Sequence, residues 1–220
     1  MDESKLQLIT PFGPSIAKVK IPDKIIKTIN DHVDEVRASE KMSKKVDAGK
    51  TLIGNVSQEI LLSQEIIKDS GWLTFLAKAT QAWIKGVLRT EITKFNINSS
   101  WVVSQYADEY NPVHWHNGHI SGAGFLKVPS TFGKTFQKDK KNLNGNLTLI
   151  HGQRAFMSDS QYKITPVVGD FYIFPHYLMH TVYPFKDTDE ERRSISFNAV
   201  VDEKIFDVHG DDVRKIQMKV

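Results

Sequence analysis

Gly169-Asp170-Phe171-Tyr172-Ile173-Phe174-Pro175-His176-Tyr177-Leu178-Met179-His180-Thr181-Val182-Tyr183-Pro184 is the stretch on which the fold turns. A Gly-Asp turn leads into an unbroken apolar run of aromatic and β-branched residues, the composition of a buried strand. Pro175 ends that run, because proline has no N–H to give to a sheet ladder. His180 then stands just before a second strand-like stretch. Upstream, the same texture recurs from Glu91 onward in ITKFNI, SWVVSQY, SGAGFLKV and NLTLIHG, and downstream in SISFNAVV, with turn residues between the runs and no helical period of useful length. Six or more short strands in succession predict an antiparallel barrel or a double-sheet jelly roll.

The first ninety residues differ. Residues 6–21 read as two short strands around a Pro/Gly turn. Pro22-Asp23 then opens a helical pattern in which Ile25, Ile26, Ile29, Val33 and Val36 recur at three- and four-residue spacing to about residue 40. Residues 41–57 are polar and glycine-punctuated, which predicts a loop. A second amphipathic stretch covers roughly 58–69, and a third runs from Gly71 to about Arg89 with Leu73, Leu76, Ala79, Trp83 and Val87 on one face. The expected architecture is α+β and a single domain over 1–220. Residues 1–90 are mainly helical support with N-terminal strands, and 91–205 form a double-stranded β-helix (jelly-roll) core. Within the core, the lysine- and asparagine-rich segment Ser130–Gly145, with Lys134, Lys138, Lys140 and Lys141, reads as a solvated loop, a lid meeting an acidic partner being the alternative.

Composition narrows the function classes. A 40% hydrophobic and 25% charged chain has ordinary globular values. A net charge of +3 is far from the basic footprint of a nucleic-acid binder, so nucleic acid is not favoured as a partner. The absence of cysteine excludes disulfides, thiolate zinc sites and cysteine nucleophiles. Met1-Asp2-Glu3-Ser4-Lys5 lacks the basic and apolar regions of a signal peptide, and no apolar run approaches a membrane span; a cytoplasmic location and no membrane partner are expected.

Five of the eight histidines fall in two windows: His114, His116 and His119, then His176 and His180. In extended chain, His114 and His116 point to one side, since side chains alternate faces with a period of two. Two imidazoles so placed make two legs of a metal site, and His180 is the best-placed third. Read alone, His-Trp-His is equally a strand with two exposed or hydrogen-bonded histidines. Further on, Arg192 and Ser194 also share a face, and a fixed guanidinium beside a hydroxyl is a receptor for a carboxylate. Arg193 is the rival, but it lies on the opposite face from Ser194. Trp101, Gln105 and Tyr106 belong to a strand expected to border the site, where they could contact a bound ligand.

Phe174-Pro175, Leu178, His180, Val182 and Pro184, followed by an acidic loop and Arg192-x-Ser194-Ile195-Ser196-Phe197-Asn198, resemble the C-terminal half of the 2-oxoglutarate- and Fe(II)-dependent oxygenases. More narrowly, the chain resembles a bacterial and phage subfamily in which a His-x-His precedes a Ser-Gly strand, here Ser121-Gly122-Ala123-Gly124-Phe125-Leu126. The resemblance covers about residues 95–200. It implies Fe(II) and 2-oxoglutarate as cofactors, with O₂ and an unidentified substrate, a small molecule or a protein side chain, as partners. It makes His114 the first metal ligand, His180 the distal one, and Arg192, assisted by Ser194, the holder of the far carboxylate. The implied activity is a hydroxylase that couples decarboxylation of 2-oxoglutarate to succinate with substrate oxidation. The departure is at His116, where most of these oxygenases have Asp or Glu. His116 is the expected third ligand, with His119, Asp108 or Glu109 as alternatives and His176 outside the set. A zinc hydrolase on a jelly roll and a non-catalytic binding module are the competing readings; neither needs Arg192-x-Ser194 aimed at a metal.

Overall fold

The computed structural model describes residues 7–9, 13–49, 52–135, 140–203 and 205. Residues 10–12 of the expected first turn, and residues 136–139 of the lysine-rich loop including Lys138, lie outside the described residues. In chain order the elements are β1 (Gln7–Ile9), β2 (Ile16–Lys20), α1 (Asp23–Ala38), α2 (Glu40–Val46), β3 (Gln58–Leu61), α3 (Gln64–Asp69) and α4 (Trp72–Leu88). The strands β4 (Phe95–Gln105), β5 (Asn111–His114), β6 (Ile120–Lys127), β7 (Leu147–Ile150), β8 (Gln161–Ile164), β9 (Asp170–Pro175), β10 (Met179–Val182) and β11 (Arg192–Val201) follow. They form a seven-stranded sheet in the order β1-β2-β9-β6-β11-β4-β3 and a four-stranded sheet in the order β5-β10-β7-β8. All pairings are antiparallel. The expected α+β jelly roll with flanking helices is the observed fold.

The large sheet has two unlike faces, as the two-residue period of its strands requires. Val102, Phe171, Ile173, Ile195, Phe197 and Ala199 face the helices and join Ile25, Ile29, Val33 and Val36 of α1 and Trp72, Phe75, Leu76 and Ala79 of α4 in one buried cluster. The indole N–H of Trp72 donates to Ser100 Oγ at 3.0 Å, so its one polar atom is satisfied inside the core. The alternate residues turn toward the smaller sheet. There Phe125, Leu147, Leu149, Ile164, Phe174 and Leu178 form a second cluster. The glycines of the Ser-Gly strand have a packing reason. A Cβ on Gly122 would sit 2.6 Å from Phe197 Cε1, and one on Gly124 would sit 2.6 Å from the Asp170 carbonyl oxygen. Only hydrogen at these positions lets the aromatic rings lie flat on β6.

Three local expectations are corrected. Residues 40–46 are helical where a loop was expected: Ser39 Oγ accepts from Met42 N at 3.4 Å, Lys44 and Glu40 pair at 2.5 Å, and no residue of α2 is buried. A helix that is polar all round leaves no hydrophobic period to detect. The stretch 58–69 is not one amphipathic helix but β3, a break capped by Ser63, and α3. An exposed edge of β4 recruits residues 58–61 as a strand, with Gln58 opposite Ser104 and Leu61 opposite Trp101, and tertiary pairing overrides the helical period. Finally, β5 and β8 are four-residue strands too short to register as runs, and the strand expected just after His180 is β10, which contains it. Among the described residues no helix is long and apolar enough to cross a membrane.

Candidate metal and carboxylate site

The smaller sheet brings the two histidine windows together. His114, the last residue of β5, lies directly opposite His180 of β10. Direct cross-strand partners have Cβ atoms about 5 Å apart, so the register alone makes these imidazoles neighbours. Their ring centroids are 4.2 Å apart, and His116, just past the strand end, lies 5.0 Å from His114 and 4.9 Å from His180. One ring nitrogen from each of the three falls within 4.8 Å of the others, so the group could hold a metal ion.

The backbone sets the tautomers. Nδ1 of His114 lies 2.8 Å from the Pro112 carbonyl and Nδ1 of His180 lies 2.9 Å from the Leu178 carbonyl. A carbonyl only accepts, so both Nδ1 atoms carry the proton and both Nε2 atoms keep a free lone pair. His116 Nε2 is 3.1 Å from His180 Nε2 and donates to it; joint ligation requires His116 to carry its proton on Nδ1 instead. Burial, reinforced by the neighbouring imidazoles, pushes His180 down to about 3 and His116 down to about 4, and burial also lowers His114. All three are therefore neutral near pH 7, the form that ligates metal. His176 serves the backbone: its Nδ1 donates to the His116 carbonyl at 3.0 Å, and the 116 and 176 main chains are also bonded at 3.0 Å.

The other expected ligands go elsewhere. His119 Nδ1 accepts from Val201 N at 3.2 Å at the far end of β11. Glu109 accepts from Tyr106 N at 2.8 Å and from Ser57 Oγ. Asp108 sits in a turn at φ 67° with its N–H on the Phe185 carbonyl. Neither acid joins the imidazole group among the described residues.

A cavity of about 280 Å³ opens beside the imidazoles between the sheets. Arg192, Ser194, Ser196 and Asn198 line it as one stripe along β11, with Trp101 and Val103 of β4 and Phe125 of β6 on the same face. Arg192 is 1% exposed, and its acceptors among the described residues are all neutral: the Gly145 carbonyl at 3.1 Å, Gln105 Oε1 at 3.1 Å and Ser194 Oγ at 3.4 Å. Its guanidinium lies over Phe125, 5.1 Å from the ring centroid. Burial pushes it down to about 9, still protonated near pH 7, and no carboxylate opposes that shift. Arg193 does the reverse. It faces the helices, pairing with Asp34 at 2.6 Å and Glu191 at 2.8 Å, a spent charge.

Gln105 thus holds Arg192 from behind rather than lining the cavity. Tyr106, expected at the site, is placed elsewhere: its hydroxyl accepts from Arg37 at 2.6 Å on the α1 side. One step along an extended strand reverses the face, and the site-facing position is 105. The lysine-rich loop touches the clamp through the Gly145 carbonyl. Lys134 N, on its other limb, donates to Asp187 at 3.0 Å. Sequence reading missed Asn198 and Glu59 among the lining residues. Asn198 continues the alternation of Arg192, Ser194 and Ser196 and was legible in that period; Glu59 lay in a stretch read as helix and carried no signal.

Residues 99–198 match a family model described as "Putative 2OG-Fe(II) oxygenase". No curated protein matches the chain in sequence. In fold, the chain is similar to a Pseudomonas putida prolyl-4-hydroxylase (14% identity, 83% of this chain and 91% of that chain covered, TM-score 0.52). It is also similar to a Trichoplax adhaerens prolyl hydroxylase in complex with a hypoxia inducible factor peptide fragment (14%, 94% and 88%, TM-score 0.53). HygX from Streptomyces hygroscopicus, with nickel and 2-oxoglutarate bound, is another neighbour (9%, 84% and 82%, TM-score 0.54). At these identities the likenesses establish the fold, while the family model reaches the stretch from β4 to β11 that carries the imidazoles and the buried arginine. Over that stretch, residues 99–198, the chain is similar to the 2-oxoglutarate- and Fe(II)-dependent oxygenases.

Proposed function

We propose that this protein is a hydroxylase in which His114, His116 and His180 hold Fe(II) and Arg192 holds the outer carboxylate of 2-oxoglutarate. The observation that carries the assignment is Arg192 itself, a buried guanidinium with only neutral partners, lining the same cavity as three convergent imidazoles. A buried charge without a counter-ion is costly, and a dicarboxylate entering the cavity supplies one. Iron with 2-oxoglutarate and O₂ supplies the oxidising chemistry, and three protein ligands leave coordination positions open for it. The chain's own part is placement. The Pro112 and Leu178 carbonyls fix two imidazole planes, Gln105 and the Gly145 carbonyl aim the guanidinium, and Ser194 offers a hydroxyl beside it. Phe125 and Phe174 exclude water from the arginine and from His180, which lie against their rings.

His116 in place of a carboxylate leaves the ligand set neutral, so the keto-acid alone balances the ion's charge. Metal binding should then be weaker without 2-oxoglutarate than with it. A small molecule or a protein side chain is the proposed substrate class, and the cytoplasm the proposed location. The test is thermal unfolding with Mn(II), with and without 2-oxoglutarate. Wild type gains stability from the pair by mass action, and Arg192→Ala does not; equal gains in both proteins would remove the clamp assignment. Succinate release under aerobic turnover is the accompanying activity measurement.

A further inference from the structure

The cavity has a second charged residue, at the opposite edge of the sheet. Glu59 is 1% exposed and lines the cavity, and its Oε2 has no hydrogen-bond partner among the described residues. Its position follows from register: Glu59 of β3 lies opposite Val103 of β4, which lies opposite Ser194 of β11, which lies opposite Phe125 of β6. All four line the cavity, so Glu59 stands two strand spacings from the residue beside the guanidinium, about 10 Å across the sheet. The segment carrying Leu52 and Ile53 also borders the cavity, and Gly54 packs so close to Glu59 that a Cβ there would lie 2.9 Å from Oε1.

A buried carboxyl oxygen with no donor is expensive unless something outside the resting fold completes it. We propose that Glu59 is the substrate-recognition residue of this cavity and that it takes a substrate bearing a protonated amine, gripped by Oε2. The inference rests on the oxygenase reading of the same cavity. Three observations favour a cation over a neutral donor. Burial, and after it the Asp47 carboxylate, raises Glu59 to about 7, and the Asp47 charge makes the field at this corner negative. The positive end of the cavity is taken by Arg192, which repels an ammonium toward Glu59. Trp101 and Trp115 supply aromatic lining suited to an organic cation.

The test uses the full chain and two isosteric probes, benzylammonium and benzyl alcohol, titrated calorimetrically at about pH 8, above the value of about 7 for Glu59. Wild type is expected to bind the amine roughly ten- to a hundredfold tighter than the alcohol, the range of a charge-assisted hydrogen bond in a dry site. Glu59→Gln should abolish that preference. Glu59→Met, which removes the desolvation cost at similar volume, is the second variant should the amide misfold, and should abolish it too. Equal binding of the two probes by wild type, or a preference that survives in the folded variant, overturns the proposal. A parallel Mn(II) and 2-oxoglutarate arm on wild type separates the two readings. Absence of stabilisation there refutes the oxygenase assignment, whereas absence of an amine preference in wild type alone refutes only the role of Glu59.

Discussion

Replacing Arg192 by methionine should move stability and co-substrate binding in opposite directions. Burial lowers the guanidinium from its ordinary value to about 9, and at about 1.4 kcal/mol per unit the folded state is burdened by roughly 5 kcal/mol for keeping it charged. Against that stand three hydrogen bonds to neutral acceptors, from the Nε and Nη1 atoms to Gly145, Gln105 and Ser194. Each charge-assisted bond contributes about 1.5–3 kcal/mol, so the two sides nearly cancel. Methionine fills much of the same volume beside Phe125 without the charge. The ligand-free variant should therefore unfold within a few degrees of wild type, or slightly above it. Binding should behave otherwise. Losing a buried partner for a carboxylate costs about 2–5 kcal/mol, or roughly thirty- to several thousandfold in affinity. At a 2-oxoglutarate concentration about 100 times the wild-type Kd, wild type gains about 2.7 kcal/mol. That amounts to roughly 5–10 °C for a chain of this size. At the same concentration the variant should gain between nothing and about 3 °C. Differential scanning calorimetry with Mn(II) present reads both quantities. A variant that unfolds far below wild type yet keeps the full 2-oxoglutarate gain would show that Arg192 is a structural ion and that the keto-acid binds elsewhere.

Mn(II) titrations should show His116→Ala losing at least about tenfold in affinity, while His116→Asp keeps or tightens binding because it adds a charge. Equal affinity for wild type and the alanine variant would remove His116 from the ligand set. For pH, the native imidazoles of His116 and His180 titrate at about 4 and about 3 against 6.5 unfolded, so the unfolded chain binds more protons between those values. Their contribution is complete above pH 6.5 and drains away as pH falls toward 4 and 3. The metal-free unfolding midpoint should drop over that window, and drop less in His180→Leu; matching pH profiles for the two proteins would contradict the assigned burial effect. In the helix-facing core, Trp72→Ala should cost about 3–5 kcal/mol. It removes a fully buried indole stacked on Phe75 and set edge-on to Phe171, and leaves the Ser100 hydroxyl, which donates to the Ser196 carbonyl, without its N–H donor. Chemical denaturation with an unchanged slope would measure it, and a cost under 1 kcal/mol would mean the core collapses around the gap.

Much of the molecule was legible because its signals are local and periodic. The two-residue alternation from Glu91 onward announced the strands, and the spacing of Ile25, Ile29, Val33 and Val36 announced α1 and its buried face. Arg192-x-Ser194 pointed one arginine, not its neighbour, toward the cavity, because adjacent residues on a strand face opposite ways. The same rule placed Tyr106 away from Gln105, a consequence that the sequence reading did not draw. Four-residue strands, the polar helix α2 and the recruitment of β3 to an open edge left no periodic trace.

By itself, then, the order of residues determined which side chains could ligate and which guanidinium faces inward, since face alternation and hydrophobic period are properties of a short stretch of backbone. Only the tertiary structure decided that His114 and His180 are register partners, that His119 and Glu109 are drawn off to other bonds, and that Glu59 joins the cavity from the far edge. Those are distances between segments tens of residues apart. They are set by which strand edges pair and which sheet faces bury together, and no local pattern encodes them.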